Sequence, residues 1–140
     1  MGLGQGSDLE INMIKVFIIV GMFAVSASTG PTRADPLYEG RYRVAGKMPH
    51  EQAHYEGVAQ IKKTGDTYTV LWRVNNVIYF GTGVRRGDVL SVVFLPLNAK
   101  AKPGIASLSI EHDQVTKGTW TVIGTRITVA ETWLPIVDSY

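Results

Sequence analysis

Three features of the chain predict an all-β fold. Apolar and polar residues alternate from Tyr38 onward, turn residues recur every 8 to 12 positions, and no helical period of useful length appears over the same stretch. The 140 residues are 45% hydrophobic and 19% charged, which suits one globular domain and lacks the composition of a disordered chain. The net charge of +2 is evenly spread, unlike the concentrated basic face of a nucleic-acid-binding protein. Cysteine is absent, which removes disulfides, thiolate metal sites, cysteine nucleophiles and a lipoprotein anchor.

The N-terminus reads as a targeting segment. Lys15 precedes an unbroken apolar run from Val16 to Val25, and Ser26-Ala27-Ser28-Thr29 follows. Ten residues rise only about 15 Å as a helix, half of a bilayer core. A signal peptide is therefore expected over 1–34, with cleavage after Ala34 (Thr32-Arg33-Ala34) or after Ala27 (Val25-Ser26-Ala27). Met1 to Asn12 carries Asp8 and Glu10 but no basic residue, so Met13 is the expected true start. Residues 35–140 then form one exported domain, periplasmic or secreted, with no stable membrane insertion after cleavage.

Eight strands are predicted in that domain: 37–46, 54–63, 67–74, 78–84, 89–95, 104–111, 117–123 and 126–134. The connections are tight except 47–53 and 96–103, so successive strands should pair antiparallel in an up-and-down meander. A two-residue loop at Gly65-Asp66 sets Ile61 opposite Val70 and Ala59 opposite Trp72. A two-residue loop at Gly124-Thr125 sets Val122 opposite Ile127 and Trp120 opposite Val129. At Asn75 a three-residue loop is favoured, pairing Trp72 with Phe80 and Val74 with Ile78. A three-residue loop at Arg86-Gly87-Asp88 then sets Val84 opposite Leu90 and Phe80 opposite Phe94. Eight such strands are expected to close, or nearly close, into a small barrel whose interior is either filled or holds one small ligand. Gly40, Gly57, Gly81, Gly83 and Gly118 lie within strands and suggest bulges or barrel corners.

Residues that carry chemistry are few. His50, His54 and His112 fall in or beside loops and do not make a metal set, and no serine stands in a nucleophile-elbow context. No catalytic residue, metal site or cofactor is assigned. Glu131 is the exception to a plain core: the register places it inward, opposite Gly118, with Val129 and Trp133 in the same row. A carboxylate there must be paired or reach water. It could orient a polar ligand at the barrel mouth with Trp133 and Tyr42, or lie at the rim paired with Arg126, Arg43 or solvent. The aromatic row of Tyr42, Trp72, Phe80, Phe94, Trp120 and Trp133 fits a ligand wall or simply a core. Two loops are candidates for a partner. Lys100 and Lys102 make the 96–103 connection positive, which suits an acidic surface. Arg86, Gly87 and Asp88 form the tripeptide that integrins read, at a hairpin tip, although the same composition is common in turns.

The pattern Tyr38-x-Gly-x-Tyr42, Tyr55-x-Gly57, Ile61 to Trp72, Phe80-x-Thr-Gly83, Gly87-Asp-Val-Leu-Ser-Val92, Gly104-Ile-Ala, Gly118-x-Trp120 and Glu131 resembles a group of small exported proteins. They belong to Gram-negative bacteria, many of them soil and plant-associated α-proteobacteria, and often carry the label fibronectin-binding protein. The likeness covers nearly all of 37–134, and its motifs are structural rather than catalytic. It implies an adhesion-like role. Gly118-x-Trp120 is also similar to the Gly-x-Trp of lipocalins, but lies in the next-to-last strand instead of the first. Three functions follow as expectations: a non-enzymatic module contacting an extracellular or periplasmic protein through rim and loops, a small-ligand carrier in the manner of lipocalins or avidins, and a β-barrel inhibitor of an exported enzyme.

Overall fold

The computed structural model describes residues 36–138. The expected signal peptide, both cleavage sites and Met13 lie outside the described residues. The eight strands are β1 Gly40–Lys47, β2 His54–Thr64, β3 Thr67–Val74, β4 Val77–Arg86, β5 Val89–Pro96, β6 Gly104–Glu111, β7 Gln114–Val122 and β8 Val129–Pro135. Each pairs antiparallel with the next, and β1 pairs back with β8, so the sheet is a closed up-and-down barrel. Among the described residues there is no helix. Closure leaves no unpaired strand edge, the exposed feature that open sheets must protect.

Alternation carries the core. Tyr42 and Val44, Ala59 and Ile61, Val70 and Trp72, Leu90, Val92 and Phe94 point inward from their strands and are buried. The β2–β3 register is the expected one, Ile61 opposite Val70 and Ala59 opposite Trp72. So is the β7–β8 register, with Trp120 opposite Val129 and Gly118 opposite Glu131.

Two turns differ from expectation, and with them a whole strand face. The Asn75 turn has two residues, so Val74 pairs with Val77 and Trp72 with Tyr79. The next turn also has two, Gly87-Asp88, with Arg86 opposite Val89 and Val84 opposite Ser91. Positive φ at the first turn residue, 52° at Asn75 and 58° at Gly87, suits the twist of a two-residue hairpin. Because side chains alternate, one residue less in the loop turns β4 over. Tyr79 faces in, and Phe80 and Ile78 face out, Phe80 being 38% exposed. The inner positions of β4 that follow Tyr79 are then Gly81 and Gly83. They are not bulges: a Cβ on Gly81 would lie 2.6 Å from Val92 Cγ1 and 3.0 Å from Trp72 Cζ3. The glycines give up volume that the Trp72 indole and Val92 occupy. The register shift in the barrel lies elsewhere, between Ser109 and Ile110 on β6, where Thr116 of β7 is the extra residue.

Three strand ends also move. β7 begins at Gln114, which places Val115 in the core. β8 begins at Val129, so the expected Val122–Ile127 pair is absent from the ladder. Residues 36–39 are not strand. They run across one end of the barrel, with Leu37 buried, the Tyr38 N–H donating to the Asp113 carbonyl at 2.6 Å, and the Lys63 N–H donating to the Glu39 carboxylate. Tyr42 completes this closed end. Its hydroxyl donates to the Tyr38 carbonyl at 3.0 Å, and burial pushes its pKa up to about 12.

Candidate functional site

The opposite end is open. The 48–53, 75–76, 97–103 and 123–128 connections surround it, and a cavity of about 320 Å³ runs inward between them. That is at the lower end of the size of small-molecule sites, roughly 300–1,000 Å³. Met48, Glu51, His54, Asn75 and Lys102 stand around the mouth, and the wall beneath is aromatic, from Tyr55, Trp72, Tyr79, Phe94 and Trp120.

The wall is one connected set of rings. Trp72 meets Phe94 at 5.7 Å between centroids and Trp133 edge-on at 5.8 Å. Phe94 meets Tyr79 at 5.9 Å and Trp120 at 6.2 Å, and Trp120 meets Tyr55 at 6.4 Å, all edge to face. Edge-to-face pairs are the arrangement that ring quadrupoles favour. Below it, Trp133 and Tyr42 meet at 5.4 Å and fill the closed half.

Glu131 is the polar centre. It projects inward from β8 between Gly46 of β1 and Gly118 of β7, neither of which has a side chain. Gly46 is also the partner of Tyr55, and a Cβ there would lie 2.3 Å from the Tyr55 hydroxyl. The missing methyl lets the Tyr55 ring lean across β1. Its hydroxyl accepts from Trp120 Nε1 at 2.8 Å and donates to Glu131 Oε2 at 2.8 Å. The result is a polarised chain of donors ending on the carboxyl. Glu131 is 6% exposed, and among the described residues no basic side chain forms an ion pair with it. The rim pairing with Arg126 or Arg43 therefore does not occur: both are exposed, and Glu131 is bonded to Tyr55.

Burial pushes the Glu131 pKa up, and the Tyr55 hydroxyl pulls part of that back. The indole N–H groups of Trp133, Trp72 and Trp120 act in the same direction as Tyr55. They lie close enough to stabilise negative charge, but Tyr55 alone meets hydrogen-bond geometry, and the Trp133 N–H is buried without an acceptor. Burial, then the nearby Glu131 charge, raise the Tyr55 pKa, which keeps its hydroxyl a donor.

The sequence-derived candidates separate. Glu131 lines the cavity, while Trp133 and Tyr42 are 1% and 0% exposed and lie in the core instead of on the cavity wall. Lys102 stands at the mouth and Lys100 is exposed on the same connection. Arg86 ends β4 and Gly87-Asp88 form the turn after it at the far end of the barrel, so the two loop candidates do not share a surface. His54 reaches the mouth, but among the described residues no three His, Asp or Glu side chains converge as a metal site would require. Tyr55, Tyr79 and Asn75 had no place among the candidates. Tyr55 shares the parity of Ala59 and Ile61, and that signal puts it inward. Tyr79 depended on the Asn75 turn.

No protein-family model, curated protein or solved structure matches the chain.

Proposed function

We propose that the barrel is an exported carrier that takes up a small, largely apolar ligand through its open end. The observation that supports this reading is the aromatic cavity with a buried, hydrogen-bonded carboxyl on its wall. A barrel built only for stability would fill that volume, because an interior void loses contacts and weakens the fold. The cavity wall offers ring faces for an apolar body and Glu131 and the Tyr55–Trp120 pair for one polar group. Ala106, buried on β6 and lining the cavity, provides the test. Thermal shift against a panel of small aromatic and aliphatic compounds should find ligands that raise the melting temperature, and Ala106→Phe should abolish the effect. Compounds that stabilise both forms equally, or a panel without a single stabiliser, would discard the carrier.

A second reading, contact with another folded chain, has its own support on the outer wall. Phe80, Val84, Val93, Leu95, Leu97 and Ile105 are 38–60% exposed and outward-facing. Phe80 opposes Leu95 and Val93 opposes Ile105, so they make one row across β4, β5 and β6, with Thr82, Ser91 and Ser107 between them and no charge. The occupant this row suits is a second copy. An uncharged row meets itself without charge repulsion. Sedimentation of Val93→Lys beside the parent decides it. A dimer that the substitution splits supports the reading, and a parent that is monomeric at high micromolar concentration ends it.

A further inference from the structure

The cavity has a chemical polarity that narrows what it takes. Glu131 is an acid placed inside an aromatic wall with no basic partner among the described residues. Only one of its oxygens accepts a hydrogen bond, from Tyr55. The basic groups that line the mouth, His54 and Lys102, are exposed and make no ion pair, and Glu51 stands beside them. A buried carboxyl with one hydrogen bond and no counter-charge carries a desolvation cost that a cationic ligand would offset.

We propose that the ligand is a small organic cation, an ammonium carried on an apolar or aromatic body, with the ammonium on Glu131 and the body against Trp72, Phe94 and Trp120. This rests on the carrier reading above and names the ligand class for it. Three physical points carry it. An ammonium supplies a counter-charge and a hydrogen bond in good geometry to the second oxygen of the carboxyl, near which the Trp72, Trp120 and Trp133 N–H groups lie without meeting that geometry. The faces of Trp and Tyr rings attract cations, most strongly when water is excluded, and Tyr55, Trp72 and Trp120 all line the same cavity. An anion would face the carboxyl directly, and a neutral alcohol would gain the apolar contacts without the charge pair. The pair would form where screening is weak, which strengthens its attraction, and against that stand the cost of taking the ammonium out of water and of ionising Glu131, whose charged form burial disfavours.

The test uses three probes with one body and different heads: 2-phenylethylamine, 2-phenylethanol and 3-phenylpropionate, titrated into the parent and into Glu131→Gln by calorimetry at neutral pH. The amine should bind the parent about tenfold more tightly than the alcohol, with the propionate weakest. In Glu131→Gln that advantage should vanish. Equal binding of amine and alcohol to the parent, tightest binding by the propionate, or an amine advantage that survives Glu131→Gln would overturn the cation, while the carrier would stand. Failure of all three to bind at millimolar concentration would overturn the cation and count against the carrier together. If Glu131→Gln does not fold, as judged by near-ultraviolet circular dichroism, the ranking of the three probes on the parent decides alone.

Discussion

Gly46 shapes the cavity without lining it. It pairs with both Tyr55 and Glu131, and its missing side chain is what lets those two meet. Gly46→Ala would put a methyl 2.3 Å from the Tyr55 ring carbon Cζ. The ring must swing away, leaving Glu131 and the Trp120 N–H without their shared partner. We expect a loss of about 1–3 kcal/mol in urea unfolding and a shift in tryptophan emission as Trp120 loses its acceptor. A change under about 0.5 kcal/mol would mean that Tyr55 is not anchored. Glu131 itself makes stability depend on pH. Its pKa in the barrel is raised above the ordinary 4.5, so the folded state holds the proton longer than the unfolded chain. Stability from this group is present at low pH and is lost as pH rises from the ordinary value through the raised one. Melts from about pH 4 to about pH 8 should therefore show a steeper fall in the parent than in Glu131→Gln. Coincident slopes would show that Glu131 does not titrate in that window.

At the scale of elements, the long 97–103 connection is anchored where it leaves β5. Asn98 Nδ2 donates to the Asn76 carbonyl at 2.8 Å, and its Oδ1 accepts from the Ile78 N–H at 2.8 Å. The Leu97 N–H donates to the Ile78 carbonyl at 2.8 Å. The connection is thus tied to the β3–β4 turn, and the two together frame the mouth. Asn98→Ala removes two bonds to partly hydrated groups, each contributing about 0.5–1.5 kcal/mol. The expected result is a small drop in stability with faster amide exchange at Ile78 and Leu97. Unchanged exchange at both amides would show that the clamp contributes nothing. The same region explains the outer apolar row: turning β4 over by one residue took Tyr79 inward and put Phe80 beside Leu95 on the outside.

For the whole molecule, closure makes one core out of residues far apart in the chain. Arg41 meets Asp138 at 2.8 Å, and the Arg41 carbonyl accepts from the Ile136 N–H. Contacts of that separation must form before the barrel is sealed, which predicts folding in milliseconds to seconds, the range of all-β domains. Trp72 lies where the filled and open halves join, in contact with Phe94 and Trp133. Trp72→Ala should cost about 3–5 kcal/mol, a large part of the roughly 5–10 kcal/mol available to a small domain. Near- and far-ultraviolet melts of the parent should coincide as a single transition. A Trp72→Ala protein melting within a few degrees of the parent would contradict the packing described.

What the sequence determined alone was most of what depends on local repetition. Alternation and turn spacing specified eight strands, their antiparallel order, the β2–β3 and β7–β8 registers and the inward position of Glu131, since each follows from a period of two and the length of a short loop. What tertiary structure decided was everything that depends on which strand lies across the barrel. The three-residue turn favoured at Asn75 was wrong, because both loop lengths place apolar residues inward and the local pattern does not separate them. The ring of Trp72 settled it by needing the volume that Gly81 leaves free. The meeting of Tyr55 with Glu131 across Gly46 was invisible for the same reason. Those residues are far apart in sequence, and only closure of β1 onto β8 brings them to one point.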